Sequence, residues 1–158
     1  MSRYHLSLTV NGEPCELLID PRRTLLDVLR NELELRGAHR GCDSGDCGAC
    51  TVLVNSLPVT ACLVLAADCS GEEVLTVEGV SSNGGLHPVQ KALVEKGGIQ
   101  CGFCTPGMVM SAVALLSVNP HPTTDEVRFG LAGNLCRCTG YVKIVEAVLS
   151  VADDEGAR

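Results

Sequence analysis

The spacing of apolar and polar positions changes about halfway along the chain. Near the start, Tyr4, Leu6, Leu8 and Val10 alternate with polar neighbours, which is the period of a half-buried strand. Asn11-Gly12 is a hairpin turn signal and residues 15–19 are the expected return strand, with Pro14 limiting where pairing can begin. A helix is predicted over residues 24–33. Thr24 is a fitting N-cap with Asp27 three residues on, and Leu25, Leu26, Leu29 and Leu33 share one face. A glycine-rich loop over residues 37–49 follows. Residues 50–54 and 57–61 then read as strands joined at Asn55-Ser56, and residues 74–77 as a short fifth strand.

Ser81-Ser82-Asn83-Gly84-Gly85 is the clearest linker, and beyond it the pattern is helical. Leu86, Val89, Ala92 and Leu93 mark the face of a first helix with Pro88 in its opening turn. Thr105-Pro106 opens a second helix, apolar on almost every side over residues 108–118 and so expected in a core. Asn119-Pro120-His121-Pro122 stops it. Thr123-x-x-Glu126 caps a third helix that ends near Gly133. A fourth covers residues 141–151, with Tyr141, Ile144, Val145, Val148 and Val151 inward and Lys143, Glu146 and Ser150 outward. The acidic tail, residues 153–158, reads as solvated and frayed. The expected fold class is α+β, a small sheet-and-helix domain over residues 1–79 followed by an all-α domain over residues 80–158.

A chain of 158 residues is long enough for one ordinary domain or two small ones. Aromatics are 3% with no Trp, so the cores must be built from Leu, Val and Ala. Ten cysteines are too many for ordinary packing. The first ten residues alternate where an export signal would run continuously apolar, and Arg22-Arg23 is followed by a helical pattern, so it reads as a solvated turn. A cytoplasmic chain is therefore expected, with cysteines as metal ligands instead of disulfides. A net charge of −7 opposes nucleic-acid binding. The longest apolar stretch, residues 108–116, falls well short of the ~20 that a membrane span needs.

The run Gly41-Cys42-Asp43-Ser44-Gly45-Asp46-Cys47-Gly48-Ala49-Cys50 carries the first chemistry. Its C-x4-C-x2-C spacing, with Cys62 following in an apolar stretch, is the plant-type pattern for a [2Fe–2S] cluster. Gly41, Gly45 and Gly48 are expected to allow the sharp turns that aim backbone N–H groups at sulfur. A C-x2-C zinc site at Cys47 and Cys50 is the lesser alternative. The second set, Cys101-x2-Cys104 and Cys136-x-Cys138, suits tetrahedral zinc as well as iron. Each of its pairs precedes a predicted helix, where the N-terminus favours thiolates.

Together with Gln100-Cys101-Gly102-Phe103-Cys104-Thr105-Pro106-Gly107 and Gly133-Asn134-Leu135-Cys136-Arg137-Cys138-Thr139-Gly140-Tyr141, the first run resembles the iron–sulfur subunit of the molybdenum hydroxylases. This is the xanthine oxidase, aldehyde oxidoreductase and carbon monoxide dehydrogenase family in its bacterial three-subunit form. The resemblance spans nearly the whole chain. It implies a β-grasp ferredoxin-like domain with one [2Fe–2S] cluster on Cys42, Cys47, Cys50 and Cys62. A four-helix domain would hold a second on Cys101, Cys104, Cys136 and Cys138. Two clusters would take the charge to roughly −11. Gln100 matches a glutamine that contacts the pterin, and Cys138 the ligand beside it.

The implied partners are a molybdopterin-binding large subunit, which carries the substrate site, and an FAD-binding medium subunit. The usual assembly is a dimer of heterotrimers, and electrons run from molybdenum through both clusters to FAD. Asp43-Ser44 departs from relatives that have glycine after the first cysteine. A free ferredoxin would leave the helical half and its cysteines without a purpose. A zinc-stapled module would leave Gln100 and the glycine loop without one.

The remaining residues have plainer readings. Cys15 and Cys69 are expected to be ordinary thiols, with Cys69, in a polar turn, the more oxidisable where exposed. His5, His39, His87 and His121 form no Cys-x-His unit, which opposes Rieske ligation, and His39 reads as a surface residue near the first loop. Met108 and Met110 read as core.

Overall fold

The computed structural model describes residues 3–81 and 84–153. Ser82 and Asn83 of the expected linker and residues 154–158 of the expected tail lie outside the described residues, as do Met1 and Ser2. The N-terminal half is a mixed five-stranded sheet in the order β2-β1-β5-β3-β4. β1 (Tyr4–Val10) pairs antiparallel with β2 (Glu13–Ile19) across the Asn11-Gly12 turn, where both residues have positive φ. Alternation puts Leu6, Leu8 and Val10 in the core. β2 starts two residues earlier than expected and runs through Pro14. As an edge strand, it can turn the position without an N–H away from the ladder.

The expected helix over residues 24–33 differs in form. Thr24 and Asp27 make a reciprocal capping box on α1 (Leu25–Asp27), but the chain then widens into a π-helical turn over Val28–Glu32. The Leu33 N–H reaches back to the Val28 carbonyl at 3.1 Å. Leu25, Leu26, Val28 and Leu29 are fully buried, whereas Leu33 is only half-buried. Beyond this turn Arg30 donates to the carbonyls of Arg36 and Ala38, fixing the entry to the cysteine loop.

β3 (Thr51–Val54) and β4 (Leu57–Thr60) form the second hairpin, turning at Asn55-Ser56 with positive φ at both residues. β5 (Glu73–Leu75) joins the halves of the sheet, parallel to β1 and antiparallel to β3. A short helix, α2 (Val77–Val80), follows.

The C-terminal half holds α3 (Pro88–Glu95), α4 (Thr105–Val118), α5 (Thr124–Gly130) and α6 (Val142–Asp153). His87, not Leu86, organises the start of α3. Its ring nitrogen accepts the Val89 N–H, and Leu86 is 62% exposed. α5 stops at Gly130, short of the expected Gly133, and Ser150 is half-buried. α4 is apolar all round because it is buried from two sides. Met108, Val109 and Ala112 pack among α3, α5 and α6, while Met110 and Ala114 pack on Leu53 of β3. The two halves therefore share a core along α4. Among the described residues no helix is long and apolar enough to cross a membrane.

Candidate metal centres

The sequence-predicted ligands converge in pairs. The Cys42 sulfur accepts the N–H groups of Ser44 at 3.5 Å and Cys47 at 3.4 Å. Cys50 and Cys62 are both buried and interact through their side chains, as do Cys104 and Cys136. Cys101 and Cys138 are exposed, with their sulfurs 3.5 Å apart. Among the described residues, no group of three His, Cys, Asp or Glu side chains is arranged around a single ion. Two pairs in each half are the arrangement that a binuclear cluster takes, with two thiolates to each iron.

Electrostatics divides each titrating pair. The hydrogen bonds of Ser44 to Cys42 lower that thiol to about 6, while burial raises Cys47. Burial pushes Cys104 up to about 12. Its neighbour Cys136, also opposed by burial, is brought down to about 7 by the Thr139 hydroxyl, which donates to its sulfur at 3.1 Å. The Phe103 N–H lowers Cys101, and its bond with Cys101 raises Cys138. Cys50 rises to about 11 on burial. Loading a metal ion displaces the protons that these thiols hold.

The glycines fit a crowded cluster loop, for different reasons. Gly41 needs space: a Cβ there would lie 2.8 Å from the Cys47 sulfur. Gly48 needs both its φ of +67° and its size, because a Cβ would meet the Gly133 carbonyl at 2.2 Å. Gly45 has φ +84°. The unexpected left-handed residue is Asp43, at φ 58°. Its carboxylate pairs with Arg40, whose other nitrogen reaches Asp27 of the capping box at 2.7 Å. This ion-paired bridge holds in place a turn that glycine would otherwise make easily.

The second site rests on its helices. Cys104 is the N-cap residue of α4. Tyr141, with φ 69°, turns the chain into α6, and its hydroxyl accepts the Cys136 N–H at 2.7 Å. Gln100 is exposed beside Cys101.

Sequence reasoning missed what lies between the sites. The Leu135 N–H donates to the Cys47 carbonyl at 2.9 Å. The buried Asn134 amide donates to the Gly48 carbonyl at 2.9 Å and to the Thr51 hydroxyl at 3.2 Å, and its oxygen accepts the Ser111 hydroxyl at 2.6 Å. Ser111 inside an apolar helix was the available signal, since a buried hydroxyl needs a partner. His39 is also more than a surface residue, for its ring stacks on Phe103 with centroids 4.7 Å apart. Cys69, expected in a polar turn, is 2% exposed, so Cys15 is the more accessible of the two remaining thiols.

Comparison with known proteins agrees with two sites. Residues 8–75 match the family model of a 2Fe-2S iron-sulfur cluster binding domain, and residues 76–149 that of a [2Fe-2S] binding domain. The fold and paired cysteines thus define an iron–sulfur protein with two [2Fe–2S]-binding domains. The chain is 45% identical over 148 residues to the nicotinate dehydrogenase small FeS subunit of Eubacterium barkeri, covering 94% of each. It is 48% identical over 156 residues to the nicotine 6-hydroxylase small subunit of Paenarthrobacter nicotinovorans, covering 99% of this chain and 94% of the relative. Quinoline 2-oxidoreductase from Pseudomonas putida 86 contains a chain that superposes with a TM-score of 0.92 at 42% identity, over 96% of this chain and 94% of that one. The chain belongs to the iron–sulfur small subunits of the molybdenum hydroxylase family.

Proposed function

We propose that the chain relays electrons between the molybdopterin centre of a large subunit and the FAD of a medium subunit. Cys42, Cys47, Cys50 and Cys62 hold one [2Fe–2S] centre in a β-grasp domain, residues 1–79. Cys101, Cys104, Cys136 and Cys138 hold the other in a four-helix domain, residues 80–158. When bound, each centre takes up and passes on one electron. The protein supplies thiolates, backbone N–H donors that favour the reduced state, and a fixed spacing.

The observation that carries this reading is the direct contact between the two cysteine sites, where the Cys47 carbonyl meets the N–H of Leu135 beside Cys136. Two unrelated metal staples would have no need of it. Exposed Cys101 and Cys138 mark the side for the large subunit, where Gln100 and Cys138 contact the pterin. The loop rim around exposed Cys42 is the exit toward the medium subunit. The assembly is a cytoplasmic dimer of heterotrimers. The chain itself carries no substrate site.

Iron analysis and electron paramagnetic resonance of the dithionite-reduced protein test the reading. Two distinguishable [2Fe–2S] signals and about four irons per chain are expected. Zinc without visible absorption would overturn it, and so would recovery from native cells with no molybdenum or flavin subunit attached.

A further inference from the structure

The two sites are fastened on two sides, and the fastenings differ. On one side the buried Asn134 amide and the Leu135 N–H tie the segment before Cys136 to Gly48 and Cys47. The shared core along α4, with Met110 and Ala114 on Leu53 of β3, backs this line from beneath. The second line is made by one residue, His39. Its backbone N–H donates to the Ala49 carbonyl at 2.9 Å, on the peptide that leads into Cys50. Its ring Nδ1 lies 2.7 Å from the Phe103 carbonyl, on the peptide that leads into Cys104. A carbonyl only accepts, so Nδ1 carries the proton.

The imidazole also stacks on the Phe103 ring at an interplanar angle of 22°, and that ring reaches within 3.5 Å of the place where a Cβ on Gly41 would stand. His39 thus hydrogen-bonds peptides adjoining a predicted ligand of each site, while standing half-buried outside both ligand sets.

From this geometry we infer that His39 is a positioning residue for electron passage between the two centres, holding the Cys104 side of one against the Cys50 side of the other. The inference rests on the two-centre reading above. The step it serves moves one electron from the reduced centre in the helical half to the oxidised centre in the sheet half. One centre is oxidised as the other is reduced, no bond is made or broken, and no proton moves. Because coupling between two sites depends on their separation and orientation, the second fastening matters even where the buried one keeps the halves together.

The test uses the assembled complex with His39→Ala, His39→Gln or Phe103→Leu in this chain, reduced with dithionite. Magnetic relaxation enhancement between the two signals reports their mutual geometry, and iron per chain reports their occupancy. With His39→Ala the iron content and both signals are expected to persist while the mutual enhancement weakens several-fold. Gln, which keeps an N–H donor for the Phe103 carbonyl, recovers part of it. Phe103→Leu weakens the enhancement from the other side of the same contact, whether or not the alanine variant assembles. An enhancement unchanged in both His39→Ala and Phe103→Leu overturns the assignment, as does its loss only together with iron. A wild-type complex with fewer than two [2Fe–2S] signals fails the two-centre reading instead.

Discussion

The two cysteine sites are built by different structural means. In the first, three cysteines come from one continuous loop, and backbone conformation places their sulfurs. Gly48 and Asp43 are left-handed, and the Cys42 sulfur is met by N–H groups from its own loop. In the second, two short segments with 31 residues between them are brought together by helix packing, and Cys104 stands at the start of α4. The first site should therefore yield to single changes in the backbone of its loop. The second should yield to changes in the core that holds α4 against α3, α5 and α6. Their shared boundary, around Gly48 and Asn134, belongs to both.

The largest expected effect separates the two. Cys47→Ala removes a proposed ligand of the loop site only, so iron should fall from about four to about two per chain. The signal of the helical centre should remain, with electron flow to flavin blocked. Iron analysis with spectroscopy of the complex decides this. Loss of both signals would show that the sites do not assemble independently.

Gly48→Ala strikes the shared boundary. It combines a left-handed backbone with a Cβ 2.2 Å from the Gly133 carbonyl and 2.7 Å from the Asn134 amide nitrogen, neither of which can swing away cheaply. A destabilisation of about 2–4 kcal/mol is expected, measured by denaturant unfolding of the iron-loaded protein. Both signals should become labile. If only the loop site is weakened, the boundary is less shared than the contacts imply.

The smallest effect belongs to the loop's outer brace. Burial tends to raise the Asp27 carboxyl, but hydrogen bonds from Thr24 and the nearby Arg40 outweigh it, so the native value lies below the ordinary 3.8. In that window the unfolded chain binds more protons, so stability rises with pH. Asp27→Asn should cost about 1 kcal/mol at neutral pH. The two stability curves should converge as the pH falls from 3.8 through the lower native value. Denaturant midpoints across that range check the sign. A deficit that persisted below it would mean the asparagine disturbs packing and not charge.

Much of the fold was legible because period is a local property. Alternation at Leu6, Leu8 and Val10 and the glycine-marked hairpin at Asn11 led directly to strands, and Thr123 with Glu126 to a helix start. The less legible features depended on neighbours far along the chain. Leu86 fits an apolar face but is left exposed, and Cys69 sits in polar sequence yet is buried within the sheet-side core. The turn after Asp27 widens, and Arg30 within it binds the carbonyls of Arg36 and Ala38 on the segment that leads to the cysteine loop. Asp43 occupies a left-handed position where some relatives have glycine, and Arg40, itself held by Asp27, pairs with its carboxylate from outside the turn.

By itself the sequence proposed which cysteines make up each site. Cysteine spacing limits which sulfurs can converge, since a thiolate reaches only as far as its loop allows. Tertiary structure decided how the sites stand to one another. That relation rests on Asn134 against Gly48, Leu135 against Cys47 and His39 against Phe103, each joining residues far apart in the chain. Their geometry exists only once α4 is buried between the sheet and the other helices. Local propensity carries no record of such contacts, because they are formed by the packing and not by the segments that take part in it.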